Sequence, residues 1–348
     1  MTAYNIILEN LEIIIHELGF NTPAKLSITK NQKFGDFSTN APLIIGKQIG
    51  KNPLDIAKLI SDKINISNNV IESINITKPG FINFTISNSY FYSMLKNNIN
   101  NKDFGKNEIG KNKTANVEFV SANPTGPLTI GHGRNGVIGD VVSNILEWNG
   151  YDVTREYYFN NAGRQMRVLG ESVKARYFEK IGKPIEFPEN GYKGDYIKDI
   201  AKEIIKNKGN NILSDDSVFK DLAESMMFDN IKKTLMDLNI KFDRFSNEKD
   251  YYDNGSIDKM IDELKNKDLI YKKDGAVWFK ASQLGKNQDK VYIKKSGEPT
   301  YRVPDTAYHR DKIERGYDLI VDIFGADHND AYPDVMVALD ALGHDTSH

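Results

Sequence analysis

The residues from 117 to 149 constrain the fold of this chain more than any other stretch. The segment 117–120 is rich in β-forming residues, and 122–127 combines small residues with two prolines, which is typical of a turn. Apolar residues then recur at helical spacing from 137 to 148. A strand, a loop of small residues and a helix N-terminus form an anion-binding site, because backbone N–H groups and the helix dipole both face the loop. The stretch therefore predicts a ligand that carries phosphate.

Length and composition indicate a soluble globular protein with two or three domains. The chain has 348 residues, of which 39% are hydrophobic and 27% are charged. The absence of cysteine excludes disulfides and thiolate metal sites and fits a reducing cytoplasm. A formal net charge of −2 excludes a protein that is basic over its whole surface. The N-terminal segment has acidic residues within its apolar periodicity, so it predicts an amphipathic helix rather than a signal peptide, and we expect no membrane association.

Residues 1–106 predict a small separate α/β domain. Its predicted features include a loop over 31–39 and a hairpin around Lys78-Pro79-Gly80. This part contains 11 Lys and no Arg against 8 Asp or Glu, a difference of +3. That balance would suit an RNA backbone, although an ordinary solvated surface accounts for it equally well.

Residues 107–348 predict a second domain with a parallel sheet. Strands and helices alternate at its start, which is typical of βαβ units with right-handed crossovers. An insertion over about 184–299 interrupts this alternation; it is mostly helical at first and β-rich towards its end. The alternation resumes after it.

A dinucleotide-binding interpretation of the first stretch fails on spacing. Gly131, Gly133 and Gly136 match G-x-G-x-x-G, but in that motif the first Gly ends the strand directly. Here a long loop with two prolines intervenes, and no P-loop sequence occurs anywhere in the chain. We therefore expect the loop to form a second wall of the pocket. We expect His132, at the start of the helix, to contact phosphate as a cation or as an N–H donor.

The segment Pro127-Leu-Thr-Ile-Gly-His132 resembles the His-x-Gly-His signature of class I aminoacyl-tRNA synthetases. Its flanks resemble those of arginyl-tRNA synthetases in particular. Other segments that resemble this family follow in order along the chain, at 155–160, 191–196, 274–279, 300–305 and 323–328. The N-terminal part, with Gly35-Asp36-Phe37 and Gly80-Phe-Ile-Asn83, is similar to the extra RNA-contacting domain of the family. The resemblance extends over essentially the whole chain.

This resemblance implies an α/β fold: the Rossmann-like parallel sheet of a class I synthetase with a large α+β insertion, preceded by a small α/β domain that contacts tRNA. It implies an arginine–tRNA ligase, which activates L-arginine with ATP to arginyl-adenylate and transfers the arginyl group to the 3′-terminal ribose of tRNA(Arg). ATP is then a substrate accompanied by Mg²⁺, with no metal held by the protein itself. The implied partners are tRNA(Arg), L-arginine and ATP, and we expect a monomer in the cytoplasm.

The resemblance also implies roles for single residues. The implied catalytic residues are Thr129 and His132. The implied ATP-binding residues are Gly131, His132, Gly133, Gly325 and Asp327. The implied arginine-binding residues are Glu118, Asn123, Tyr301, Asp305 and His328, with the two acids on the guanidinium. The whole signature motif comprises Ala122, Asn123, Pro124, Thr125, Gly126, Pro127, Leu128, Thr129, Ile130, Gly131 and His132.

Simpler explanations exist for some of these residues. Glu118 would be an exposed acid at a strand edge, Asp305 a helix-capping residue and Tyr301 a core aromatic. A buried acid without a partner is costly, which favours a ligand role for Glu118. His309 and His16 are expected to be structural.

Two departures from the family pattern modify these expectations. The first His of the signature is Thr129 here, and a hydroxyl donates to phosphate without carrying charge. The sequence stops at His348, whereas the family continues with another strand, a lysine-bearing loop and an anticodon-binding domain. We therefore expect an unpaired sheet edge, weak binding of ATP and arginine, and no charging of tRNA by this chain unaided. The alternatives are an inactive fragment that binds tRNA or ATP, and a related nucleotidyltransferase that adenylates a small acid.

Overall fold

The chain divides into two units, Met1–Phe104 and Gly105–His348. The structure, a computed structural model, describes residues 2–64, 69–161, 163–210, 212, 216–325 and 331–348. Two predicted substrate-binding residues, Asp327 and His328, lie outside the described residues. Within the described part, no helix has both the length and the apolar character that a membrane crossing requires.

The N-terminal unit packs helices against an antiparallel sheet. Its described helices are α1 (Ala3–Glu17), α2 (Ala41–Ile49), α3 (Pro53–Ser61) and α4 (Asn88–Asn98). Its strands are β1 (Ser27–Ile28), β2 (Phe37–Thr39), β3 (Ile71–Thr77) and β4 (Phe81–Ile86), in the order β1-β2-β4-β3. The hairpin predicted around Lys78-Pro79-Gly80 is confirmed. The loop prediction is wrong at its end, because Phe37–Thr39 pairs with β4 and becomes a strand.

The C-terminal unit is built on a parallel sheet. Its described strands are β5 (Thr114–Glu118), β6 (Asp152–Phe159), β7 (Arg244–Asn247), β8 (Ile270–Lys273), β9 (Ala276–Phe279), β10 (Lys290–Ile293) and β11 (Leu319–Asp322). Its described helices are α5 (Ile130–Trp148), α6 (Gly163–Lys180), α7 (Asp195–Lys208), α8 (Asp216–Asp237), α9 (Glu248–Asp253), α10 (Ser256–Asn266), α11 (Arg302–Glu314) and α12 (Tyr332–Leu342). The parallel sheet has the order β11-β5-β6-β7, and β8 to β10 form a separate antiparallel sheet.

Strand β7 corrects the extent of the insertion, which the sequence places at about 184–299. Arg244–Asn247 pairs in parallel with β6 and is therefore a strand of the central sheet. Its four residues, Arg-Phe-Ser-Asn, lack the apolar run that indicates a strand buried on both faces. They form a strand because β6 supplies backbone partners, and the inserted part splits into α7–α8 before β7 and β8–β10 after it.

The outer edge of the sheet lies along β11. The N–H of Ile320 donates to the carbonyl of His348 at 3.0 Å. Among the described strands β11 pairs with β5 alone, so the edge has no strand partner there, and the carbonyl of His348 satisfies one of its backbone donors.

Helix α5 packs on the sheet through small residues rather than through its apolar side chains. Its buried residues are Gly136, Gly139 and Ser143, whereas Val141 and Ile145 are 48% and 55% exposed. A Cβ added to Gly139 would lie 2.0 Å from the ring of the buried Phe119. Glycine therefore lets the helix axis approach the end of β5 closely.

Gly139→Ala is expected to destabilise the C-terminal unit by about 1–3 kcal/mol, because the new methyl group overpacks a core that cannot move away. The matched control is Gly133→Ala in the same helix, where an added Cβ would meet nothing within 4 Å. The control is expected to be neutral or stabilising by up to about 1 kcal/mol. Urea unfolding followed by tryptophan fluorescence measures both, and equal effects of the two variants would contradict the close approach.

Candidate active site

The loop between β5 and α5 has an unusual backbone. Val120 and Ser121 have φ of +66° and +42°, a region that a β-branched residue rarely adopts. The side-chain amide of Asn135 holds this loop: its Oδ1 accepts from the N–H of Val120 at 2.7 Å, and its Nδ2 donates to the carbonyl of Ile323 at 2.8 Å. The strand consequently ends before Val120, which the sequence assigns to it. Strained backbone that is held in this way is typical of functional sites.

The same loop is fastened to the end of β6. The buried hydroxyl of Tyr157 donates to the carbonyl of Ala122 at 2.8 Å and accepts from its N–H at 3.2 Å. Asn123 accepts from the N–H of Asn160 and donates to Oε1 of Gln165, both at 3.0 Å. Asn123 thus joins the loop to the carboxyl end of β6, and its contact with arginine stays a prediction.

Thr129 and His132 cap the first turn of α5. The N–H of His132 donates to Oγ1 of Thr129 at 3.4 Å, and Nδ1 of His132 accepts from the N–H of Thr129 at 3.1 Å. With this capping box the helix begins at Ile130, so His132 lies in its first turn as the sequence predicts. An added Cβ would meet nothing within 4 Å at Gly133, so the first turn faces open space there. The N–H groups of His132 and Gly133 bond to Thr129, and the earlier N–H groups of a helix start have no partner within the helix, so they are the ones that can donate to an anion.

A helix of the insertion supports the signature loop from another side. The hydroxyl of Tyr196 on α7 donates to the carbonyl of Thr125 at 2.9 Å. A Cβ on Gly126 would lie 3.1 Å from this hydroxyl, so only glycine fits without displacing it. The loop is therefore held by α7, and its role as a second wall of the ligand pocket stays a prediction.

The carboxylate of Glu118 is buried and already has a cation partner. It is 2% exposed and accepts from the hydroxyls of Ser121 at 2.8 Å and Tyr308 at 2.9 Å. Its Oε2 contacts Nζ of Lys312, a fully buried lysine that also pairs with Asp322 at 2.6 Å. Burial alone lowers the pKa of Lys312, but the charges of Asp322 and Glu118 raise it above its usual value. Lys312 therefore stays protonated and neutralises Glu118 from within the chain.

His309 is structural, as the sequence predicts. Its Nδ1 lies 2.8 Å from the carbonyl of Asp305 and its Nε2 lies 3.2 Å from the carboxylate of Asp322. Burial alone would lower the pKa of His309, but the hydrogen bond with Asp322 raises it by more than burial lowers it. The pKa of His309 therefore lies above its usual value. Ligand atoms of Glu118, His309 and Asp322 lie within 4.8 Å of one another. Because Lys312 contacts both acids, a metal there would have to displace its ammonium group.

Two further acids are candidates for ligand binding: Glu248, where β7 meets α9, and Asp305, where α11 begins. Glu248 is the first residue of α9, and Asp305 lies in the first turn of α11. Glu248 is 5% exposed, and its carboxylate accepts from the hydroxyl of Tyr158 at 3.2 Å. Burial and the charge of Asp305 raise the pKa of Glu248 to about 7. In the part of the chain that the structure describes, no basic side chain forms an ion pair with Glu248.

Aromatic rings lie close to Glu248. Tyr158 stacks on Tyr308 with ring centroids 4.0 Å apart and planes inclined by 13°. Burial and the charges of Glu248 and Asp305 raise the pKa of Tyr252 to about 12, so this phenol stays neutral near physiological pH. A buried acid beside aromatic rings suits a planar cation, since such a cation stacks on rings and donates to carboxylates in its own plane.

The start of α11 is fixed by an ion pair. Nε of Arg302 lies 2.8 Å from Oδ2 of Asp334, which is 2% exposed. Tyr301 precedes this turn and is 64% exposed, which excludes the alternative of a core aromatic. Gly325 is exposed and directly precedes residues outside the described part. The predicted roles of Tyr301 and Gly325 in substrate binding stay predictions.

Comparison with protein-family models assigns both units. A model described as tRNA synthetases class I (R), catalytic domain, matches residues 94–341, and one described as arginyl tRNA synthetase N terminal domain matches residues 5–86. The chain belongs to the arginyl-tRNA synthetase family. The predicted class I synthetase fold is thereby confirmed, with a parallel sheet that follows the N-terminal unit.

Curated relatives support the same family. The chain is 47% identical over 348 residues to an arginine–tRNA ligase of Chlorobium phaeobacteroides, which covers 97% of this chain and 63% of the relative. It is 45% identical over 325 residues to an arginine–tRNA ligase of Desulfotalea psychrophila, covering 92% of this chain and 59% of the relative. The chain thus spans about 60% of the length of these relatives. The crystal structure of the arginyl-tRNA synthetase from Plasmodium falciparum shares the fold, with a TM-score of 0.62 at 20% identity over 97% of this chain and 62% of that one.

Sequence reasoning missed two buried charged residues of this candidate site, Glu248 and Lys312. Glu248 directly follows β7, and the residues of β7 lack the apolar run that indicates a strand. The sequence therefore could not predict that Glu248 lies at the carboxyl edge of the sheet. Lys312 lies on the buried face of α11, where a lysine normally indicates an exposed position. An acid directly after a short polar strand would have been a signal for Glu248; the sequence contains no comparable signal for Lys312.

Proposed function

We propose that this chain binds L-arginine and ATP in the manner of an arginine–tRNA ligase. Such an enzyme joins the arginine carboxylate to the α-phosphate of ATP, releases pyrophosphate, and passes the arginyl group to the 3′-terminal ribose of tRNA(Arg). The proposed partners are therefore L-arginine, ATP with Mg²⁺ and tRNA(Arg), for a monomer in the cytoplasm. The family membership and the acid pair support this proposal.

The observation on which the proposal depends is the buried carboxylate of Glu248. It lacks a cation partner among the described residues, and its pKa is raised to about 7 by burial and by Asp305. A guanidinium at Glu248 would neutralise this carboxylate, and its remaining N–H donors would reach toward Asp305 at the start of α11. Glu118 is the weaker candidate, because Lys312 already neutralises it. We assign Glu118 to holding the site together, and Asp305 to the guanidinium as the sequence predicts.

For ATP, we place the phosphates at the first turn of α5. Free N–H groups and the ring of His132 would supply donors there, and the residues at 131 and 133 leave room for the ligand to approach. Mg²⁺ would arrive with the nucleotide. The assignments of Asp327 and His328 stay predictions, as does the expectation that this chain alone does not charge tRNA.

Isothermal titration with arginine and with citrulline tests the arginine site. Citrulline has the same length but no charge, and it would leave Glu248 without a cation. We expect it to bind roughly 100-fold more weakly than arginine. Comparable affinities would contradict the proposed arginine site.

Arginine-dependent ATP–pyrophosphate exchange, measured with and without tRNA, tests the reaction. Exchange that needs no tRNA and accepts other small acids would support the nucleotidyltransferase alternative. Binding of tRNA without any binding of arginine would support an inactive fragment. A normal exchange rate with tRNA would support the ligase function and contradict the expectation that the chain is inactive unaided.

A further inference from the structure

The hydrogen bond between Thr129 and His132 determines the protonation of one ring nitrogen. Nδ1 of His132 lies 3.1 Å from the backbone N of Thr129. A backbone N–H can only donate, so Nδ1 has to be the acceptor and carries no proton. The single proton of the neutral ring is then on Nε2. The tautomer of a histidine is usually ambiguous, and here the partner removes the ambiguity.

The same contact argues against an imidazolium at this position. A charged ring has a proton on Nδ1, which would face the N–H of Thr129 and break the capping box. Of the two roles that the sequence leaves open for His132, cation and N–H donor, the capping box is compatible with the second. The ring therefore offers a neutral Nε2–H.

Thr129 controls how this ring is held. Its Oγ1 accepts from the N–H of His132 at 3.4 Å and lies 3.3 Å from Nδ1. Among the described residues, both hydrogen bonds of the His132 ring go to Thr129. The neighbouring Ile130 is 93% exposed and Gly133 has open space around it, so neither confines the ring.

We propose that Thr129 is a positioning residue: it fixes His132 as the Nε2–H tautomer and directs that donor away from the helix end, toward an incoming phosphate. The inference rests on the proposed function for the identity of the ligand, but not for the tautomer. It gives a reason for threonine at the first signature position. A histidine there has no hydroxyl on its β-carbon to cap the N–H of His132, so the two residues would hold phosphate by a different arrangement.

Nitrogen-15 NMR of the full chain at pH 8 tests the tautomer directly. We expect the His132 signals to show a bare Nδ1 and a protonated Nε2 in the unmodified protein and in Thr129→Ser. In Thr129→Val the backbone N–H remains, but the loss of Oγ1 at similar size removes the cap that holds the ring against this N–H, so we expect the signals to shift toward a mixture of tautomers. A protonated Nδ1 in the unmodified protein, or unchanged signals in Thr129→Val, would overturn the inference.

Amide exchange at position 129 gives a second measurement that needs no ligand. The N–H at a helix N-cap ordinarily has no partner in the helix, so protection there reports the bond to His132. We expect His132→Phe and Thr129→Val to exchange this amide about fivefold faster than the unmodified protein. Equal exchange in all three proteins would overturn the inference, and unchanged tryptophan fluorescence confirms that the variants remain folded.

Ligand binding then separates this inference from the proposed function. We expect Thr129→Val to weaken ATP binding about fivefold and to leave arginine affinity unchanged. We expect Thr129→Ser to bind ATP as tightly as the unmodified protein. Equal loss of both ligands would overturn the positioning role. If the unmodified chain binds neither ligand, the proposed function fails, whereas the NMR and exchange results still decide the tautomer.

Discussion

Glu248→Gln is expected to weaken arginine binding by roughly 10- to 100-fold, because charge-assisted hydrogen bonds to the guanidinium are replaced by neutral ones. The unmodified protein should show a matching pH dependence. The pKa of Glu248 is raised to about 7, so below that pH a proton competes with arginine for the carboxylate. Arginine affinity should therefore fall by about tenfold per pH unit below 7, and the fall should be absent in Glu248→Gln. Calorimetric titration between pH 5.5 and 8 measures both effects.

The same substitution should make the folded protein more stable at pH 8. The pKa of Glu248 is raised from 4.5 to about 7 on folding, so the folded state holds its proton more tightly than the unfolded state. The stabilising effect of that proton is present at low pH and is lost as pH rises from about 4.5 through 7. Ionised Glu248 then costs the folded state about 3 kcal/mol at pH 8, which glutamine removes. At pH 4.5 the variant and the unmodified protein should differ little.

Urea unfolding at the two pH values measures this difference. Both tryptophans, Trp148 and Trp278, lie in the unit Gly105–His348, so their fluorescence reports that unit. Glu186→Gln is the matched control, since Glu186 is exposed and should change neither stability nor arginine affinity. A Glu248→Gln variant that is less stable at pH 8, or that binds arginine normally, would contradict the assignment of Glu248 to the arginine site.

Lys312→Met is expected to destabilise the C-terminal unit by about 3–5 kcal/mol. The lysine is fully buried between Glu118 and Asp322, and its removal leaves two carboxylates without their cation. Adding Asp322→Asn to this variant should recover part of the loss, because one of the two uncompensated charges is then removed. Unfolding in urea with fluorescence detection measures the single and double variants.

Lys233→Met provides the control for this measurement, because Lys233 is exposed on α8 and its replacement should change stability by less than about 0.5 kcal/mol. If Lys312→Met were as stable as this control, the buried ion pairs would contribute nothing to the fold. If the double variant were less stable than Lys312→Met, the reason given for the loss would be wrong.

Local patterns in the sequence predicted the first helix and the hairpin of the N-terminal unit. The amphipathic helix forms as α1, because apolar residues at helical spacing mark the face that it buries. Strand β7 was missed, since its four residues form a strand only through pairing with β6. The end of β5 was misplaced, because its loop is held by Asn135, a residue on the next helix.

The sequence by itself determined the family, the strand–loop–helix unit from which an anion site is predicted, and the position of Asp305 at a helix start. These features are encoded locally, in residues that are neighbours along the chain. Only the tertiary structure decided that Lys312 neutralises Glu118 and that the charge of Asp305 acts on the buried carboxylate of Glu248. These pairs lie 194 and 57 positions apart in the sequence (312 − 118 and 305 − 248), and the charge state of a buried acid depends on what the folded chain places beside it.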